Sequence, residues 1–218
     1  MTMSMLKWKR TGSGVIAGAA AALLIGTSAG IALAAAAPTW TVKPGGKATA
    51  KSVGKVVLED PATKAVLTCA SSAAKITTKK GSKLSGKAIA SITAISFSKC
   101  VGPDSITFTV QSGHLPWALN AVSYNKKTGT TTGTITGVHS ALSGLTCSAV
   151  VDGTGANKDN GMVRVTYVNK THKLTVLTGG GNLHIYHVSG CFGLIGSGDG
   201  STYSAVNAVS PAQTITSP

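Results

Sequence analysis

The sequence predicts an all-β fold, an antiparallel sandwich or barrel, on three observations. Short runs alternate apolar and polar residues, the period of a strand with one buried face, as in Ile106-Thr107-Phe108-Thr109-Val110 and Val163-Arg164-Val165-Thr166-Tyr167. Such runs recur about every ten residues, most of them bounded by Gly, Asn, Asp or Pro. Almost no segment sustains the 3.6-residue period of an amphipathic helix. Thr and Ser fill the solvent-facing positions that this alternation creates.

Further strands are expected over residues 56–59, 65–69, 133–138, 174–177, 183–188 and 202–206. Lys126-Lys127-Thr128-Gly129 and Asp152-Gly153-Thr154-Gly155 read as hairpin turns, since Gly and Asp tolerate the positive φ such turns demand. Two stretches stay open. Ile89, Ile92 and Ile95 recur every third residue, which suits one short helix or a strand with a bulge, and Trp117 to Ala121 after Pro116 is equally ambiguous.

The chain of 218 residues opens with a basic leader, Lys7, Lys9 and Arg10, and then an uncharged stretch rich in Ala, Leu and Ile up to Ala36. This is the pattern of a secretory signal peptide over 1–36, with Ala34-x-Ala36 as the small-residue cleavage site and Ala37 as the mature start. The alternative is an uncleaved anchor, because the stretch is long enough to span a bilayer; Gly18, Gly26 and Gly30 weaken it as a helix. Residues 37–218 then form a single extracellular domain, with 37–110 and 111–218 as candidate pseudo-repeats.

The repeat rests on the cysteines. Leu67-Thr68-Cys69 is echoed by Leu145-Thr146-Cys147, and Ser98-Lys99-Cys100-Val101-Gly102 by Ser189-Gly190-Cys191-Phe192-Gly193. An even cysteine count in an exported chain reads as disulfides, and the echo favours Cys69–Cys100 and Cys147–Cys191 among the three connectivities. No CxxC pair is present, so metal binding by these thiols is not indicated.

Charge is scarce and one-signed: 20 Lys+Arg against 6 Asp+Glu, with only 12% charged residues and a mean hydropathy of +0.24. Residues 37–218 keep 17 basic residues and all six acids, a net of +11. Eleven of the lysines fall before residue 105, and Lys75, Lys79, Lys80, Lys83 and Lys87 are the densest cluster. Mobile ammonium groups suit delocalised attraction to anionic cell-wall polymers or an anionic membrane surface. Arg is nearly absent and no aromatics interleave, so sequence-specific nucleic-acid reading is not indicated.

No motif names a reaction, a metal or a cofactor. His184 and His187 stand three apart in a strand-like run, a spacing that sends them to opposite faces. The loop 152–161 has the flavour of a calcium site but lacks alternating carboxylates and a terminal Glu, and Lys158 sits inside it. Gly196 to Gly200 carries one carboxylate and no following Lys-Ser/Thr, so it is a poor phosphate loop. Glu59 and Asp60 are adjacent and cannot converge across a cleft as a glycosidase pair. No GxSxG elbow marks a nucleophile.

The cysteine contexts, the box Pro116-Trp117-Ala118-Leu119-Asn120 and the ending Val209 to Thr216 resemble secreted β-rich, two-disulfide proteins of unknown function from high-GC Gram-positive bacteria, the actinobacteria. That resemblance implies an exported β domain and assigns no activity or functional residue. The expected function is a non-enzymatic, secreted or envelope-associated domain held by its charge. One alternative is a carrier of a small apolar ligand, with Phe108, Trp117, Tyr167 and Tyr186 as lining residues; a secreted hydrolase is the other.

Overall fold

The computed structural model describes residues 37–218; the leader expected over 1–36 lies outside the described residues. Among these residues a single short 3-10 turn, Pro103–Ser105, interrupts an otherwise all-β chain. The strands are β1 (Thr39–Lys43), β2 (Gly46–Ser52), β3 (Val56–Glu59), β4 (Val66–Thr78), β5 (Gly81–Ser85), β6 (Ala90–Val101), β7 (Thr107–Ser112) and β8 (Trp117–Asn125). They continue with β9 (Thr130–Val138), β10 (Ser140–Ser143), β11 (Ser148–Asp152), β12 (Gly161–Val168), β13 (Lys173–Val176), β14 (His184–Ser189), β15 (Thr202–Ser210) and β16 (Thr214–Thr216).

Of the two expected architectures the protein is the barrel, with eight antiparallel staves that run up and down in chain order. Three staves, β4, β6 and β15, run its full height. The other five are each broken into two segments: β2 with β3, β7 with β8, β9 with β10, β11 with β12, and β13 with β14. Pairing shows this directly. One half closes through β2, β4, β6, β8, β9, β12, β13 and β15. The other half closes through β3, β4, β6, β7, β10, β11 and β14 back to β15. There the last gap is bridged by His184 opposite Gly200 and by the bonds Ile185 N to Asp199 O and Gly198 N to Ile185 O. Closure leaves no unpaired edge in the barrel wall, the usual solution to the edge-strand problem.

Two sequence expectations are decided here. The isoleucine run is a bulged strand, since Lys75 opposes Ala94 while Ile76 opposes Ile92, leaving Thr93 as the extra residue. Trp117 to Ala121 is likewise strand. One expectation is corrected: residues 152–155 are not a hairpin turn, because β11 and β12 do not pair with each other but lie in one stave. The loop between them is a sideways excursion. The Lys126 to Gly129 turn does join paired neighbours, β8 and β9, with Gly129 at φ +66°.

The barrel interior is filled by alternate residues of every stave, including Ile76, Ile92, Ile135, Val163, Val165, Leu174 and Val176, all buried. Gly133 inside β9 lets β8 approach, since a Cβ there would collide with the Asn120 carbonyl. The end at which β4 turns back through β5 to β6 is called the base. It is covered by a three-stranded sheet in the order β16-β1-β5, whose Trp40 and Val42 pack with Ile89 in a second small core. Gln213, 1% exposed, locks this cover: its side chain accepts from Gly45 N (3.1 Å) and donates to Pro211 O (3.0 Å), and its backbone carbonyl accepts from the Tyr167 hydroxyl (2.7 Å). Asn169 holds β16 by pairing with both backbone groups of Ile215 (2.8 and 2.9 Å).

The opposite end, the crown, carries both disulfides, Cys69–Cys100 and Cys147–Cys191, the pairing that the echoed contexts favour. Each bridges neighbouring staves, β4 to β6 and the start of β11 to the end of β14. They stand four positions apart on the ring of eight, the placement that a two-fold about the barrel axis would produce.

Candidate functional site: a lysine-bearing barrel end, interior cavities and a histidine cluster

Strand direction sorts the charges along the barrel axis. At the base, Lys79, Lys80, Lys83 and Lys87 lie on the segment from β4 through β5 to β6, Lys126 and Lys127 on the β8–β9 turn, Lys170 and Lys173 at the β12–β13 turn, and Lys43 and Lys47 where β1 leads into β2. All ten are exposed, and no acidic side chain shares that end. The six acids lie at the crown (Glu59, Asp60, Asp104, Asp199) or at mid-height (Asp152, Asp159). Among the described residues no lysine pairs with a carboxylate; the ion pairs are His–Asp contacts. Lys79 alone of this set is tethered, donating to the Lys87 carbonyl at 2.9 Å.

Of the five lysines singled out from the sequence, four therefore belong to the base, and Lys75 does not. It stands on the outer wall, where it flanks with Lys47 a surface groove of about 530 Å³ floored by Thr49, Thr77 and Thr93. Six base lysines escaped the sequence reading, because they are distant along the chain and meet only once the staves close.

Inside, three small apolar cavities follow one another along the axis, of about 60, 80 and 40 Å³ from base to crown. Tyr167 lines the first, Trp117 the second and Phe108 the third, and all three rings are buried. Ile76 and Leu174 separate the first from the second; Leu58, Leu67 and Leu142 separate the second from the third. Tyr186 lines none of the three and donates its hydroxyl to the Gly153 carbonyl at 3.2 Å. Burial pushes the phenols of Tyr203 and Tyr167 above the usual range, outweighing the opposing hydrogen bonds to Ser72 and to the Gln213 backbone.

At mid-height the breaks in adjacent staves bring polar side chains together. His114 comes from the β7–β8 break, His139 from the β9–β10 break, Asp152 ends β11, and Asp159 lies in the excursion before β12. His114 Nδ1 is 2.7 Å from Asp159 Oδ2, and His139 Nδ1 is 3.3 Å from both Asp152 Oδ2 and Asp159 Oδ1. Burial alone would raise the Asp152 carboxyl, but bonds from the Gly153 and Asp159 amides and from His139 outweigh it and hold it below the usual range. Asp152 and Asp159 are the two carboxylates of the loop weighed from the sequence as a calcium site; neither His114 nor His139 was singled out there.

The other sequence candidates fall into place around the same excursion. His184 Nδ1 faces the Gly153 carbonyl at 3.0 Å and His187 Nε2 faces Asn157 at 3.4 Å. A bulge with His187 at φ 51° breaks the strand alternation on which their separation was argued, so both rings reach one loop. Asp199 closes its own glycine-rich turn by accepting from Gly196 N at 2.9 Å, and Asp60 closes the β3–β4 turn by accepting from Ala62 N at 2.9 Å. Among the described residues no serine hydroxyl is bonded to a histidine, the contact a serine nucleophile needs. Compared with protein-family models, with curated proteins and with solved structures, the chain matches none.

Proposed function

We propose that the protein is an exported, non-catalytic β-barrel that holds to the anionic polymers or lipid headgroups of a bacterial cell envelope through its base. The observation that carries this reading is the segregation of ten exposed lysines, with no acidic side chain among them, at one end of the barrel. Like charges gathered on one face raise the local potential and favour a polyanion over any single small anion. The groove between Lys47 and Lys75 extends that face up the wall. Export is supported by the leader and by two disulfides, which persist in oxidising compartments.

The test uses the chain from Ala37, a soluble polyanion and anionic or neutral vesicles. Binding is expected to anionic targets only, and to fade as the Debye length shrinks from about 10 Å at 0.1 M to about 3 Å at 1 M salt. Two variant sets discriminate. Changing Lys79, Lys80, Lys83 and Lys87 to Gln, and separately Lys126, Lys127, Lys170 and Lys173 to Gln, should each weaken binding by roughly tenfold or more if the base acts as one surface. Binding that survives high salt, or that ignores the second set, overturns the reading.

The stacked cavities favour a second reading, carriage of a small apolar molecule. Their individual volumes of 40–80 Å³ limit an undistorted occupant to something smaller than benzene, against about 300–1,000 Å³ for sites that take drug-sized ligands.

A further inference from the structure

We infer that His114, His139 and Asp159 form a binding site for a divalent transition-metal ion of the zinc class, with Asp152 beside them. Their donor atoms, two Nδ1 and a carboxylate oxygen, all lie within 4.8 Å of one another. An ion with bonds of about 2.0–2.1 Å to nitrogen and oxygen in tetrahedral geometry needs its ligands about 3.3 Å apart. His139 Nδ1 stands at 3.3 Å from Asp159 Oδ1, a tetrahedral edge, and His114 Nδ1 at 2.7 Å from the other oxygen, Asp159 Oδ2.

The hydrogen bonding without a metal is incomplete in the way a cation would repair. His139 Nδ1 carries at most one proton, yet it faces two carboxylates, Asp152 at the end of β11 and Asp159 in the excursion that follows. Asp159 Oδ1 is accordingly a buried acceptor with no hydrogen-bond partner. His139 is 9% exposed and the neighbouring Asp152 fully buried, while the side chains of Asp159 and His114 are 38% and 52% exposed, so the cluster runs from the barrel wall out to its surface. The nearby Lys158 makes no ion pair with Asp152 or Asp159, so no lysine supplies the fully buried Asp152 with a counter-charge. A buried charge of that kind calls for a counter-charge.

Chemistry and architecture agree on the class. Imidazole with carboxylate suits zinc, copper, nickel and related ions better than calcium, which takes six to eight oxygens. His114 is half-exposed and forms the outer wall of the cluster, giving an ion a path in and leaving a coordination position for water. The ligands come from three neighbouring staves, each contributed by the break at mid-height. The breaks therefore have a use beyond loop entry: an unbroken strand would point these side chains by simple alternation and could not converge them.

The test is metal binding by the untagged full-length chain in mild detergent, stripped with chelator and titrated calorimetrically with Zn²⁺. One ion per chain is expected, with a rise in Tm on loading and, with Co²⁺ in place of Zn²⁺, the intense visible absorption of a tetrahedral site. His114→Ala removes an outer-wall side chain and should weaken binding by about tenfold or more with the circular dichroism unchanged. Asp159→Asn should do the same. His172→Ala, a histidine at the base, should bind as the parent does. Absence of a stoichiometric ion, or equal binding by His114→Ala and the parent, overturns the proposal; equal losses in His114→Ala and His172→Ala would show adventitious binding and overturn it as well.

Discussion

At the scale of single residues, buried polar groups reveal how tightly the barrel is specified. Tyr203 and Tyr167 place phenols against the interior, Tyr203 at the central cavity and Tyr167 between the first cavity and Gln213. Burial raises both, so the folded chain holds these protons more tightly than the unfolded chain does. Linkage then sets the sign: the stability they contribute is complete below the ordinary phenol value of 10.0 and is lost as pH climbs from there towards the raised folded values. Urea midpoints of the parent should fall between pH 9 and pH 11, and Tyr203→Phe should fall less over the same interval. Because the two proteins differ only in the Tyr203 hydroxyl, the difference between their slopes isolates that group. Equal slopes would mean that the Tyr203 hydroxyl reaches solvent.

Among the elements, the staves differ in how firmly they are held. β4 and β6 pair over ten registered residues with Cys69–Cys100 inside that ladder, whereas β14 has β11 on one side and only the short segment 198–201 on the other. Cys147–Cys191 therefore secures the weaker part of the crown. Loop closure gives each bridge about 3–4 kcal/mol on the chain-entropy account, nearly equal for separations of 31 and 44 residues. Local pairing breaks the tie, and the Tm of Cys147→Ala/Cys191→Ala should lie below that of Cys69→Ala/Cys100→Ala. Thermal melts of the two double variants check this; the reverse order would mean that the β14 edge is as firmly paired as the β4–β6 ladder. The strands themselves were legible wherever alternation was clean, as in β7 and β12. The β11–β12 excursion was misread as a hairpin because Asp-Gly signals a turn without saying whether the flanking strands become partners or continue one another.

For the whole molecule, the axis matters more than the net charge. On the proposed function, a face with ten lysines opposite an end with four acids should orient the barrel base-first on an anionic surface. Lysine-directed acetylation read by mass spectrometry should report it. With polyanion bound, Lys79 to Lys87, Lys126, Lys127, Lys170 and Lys173 should be protected, while Lys64 and Lys99 at the crown end keep their reactivity. Uniform protection would indicate a barrel coated without orientation.

The sequence by itself determined the strand class and the expectation of export, and its echoed cysteine contexts favoured the disulfide pairing. These depend on periods visible within a dozen residues and on short contexts that repeat along the chain. Only the tertiary structure decided that the strands close into a barrel, which charges share an end and which polar groups meet at mid-height. The lysines of the base lie on opposite halves of the chain, and up-and-down closure brings every second turn to one end. His114, His139, Asp152 and Asp159 converge because three adjacent staves break at the same height, and the position of a break relative to its neighbour's is set by register, a property of pairs of strands rather than of any one of them.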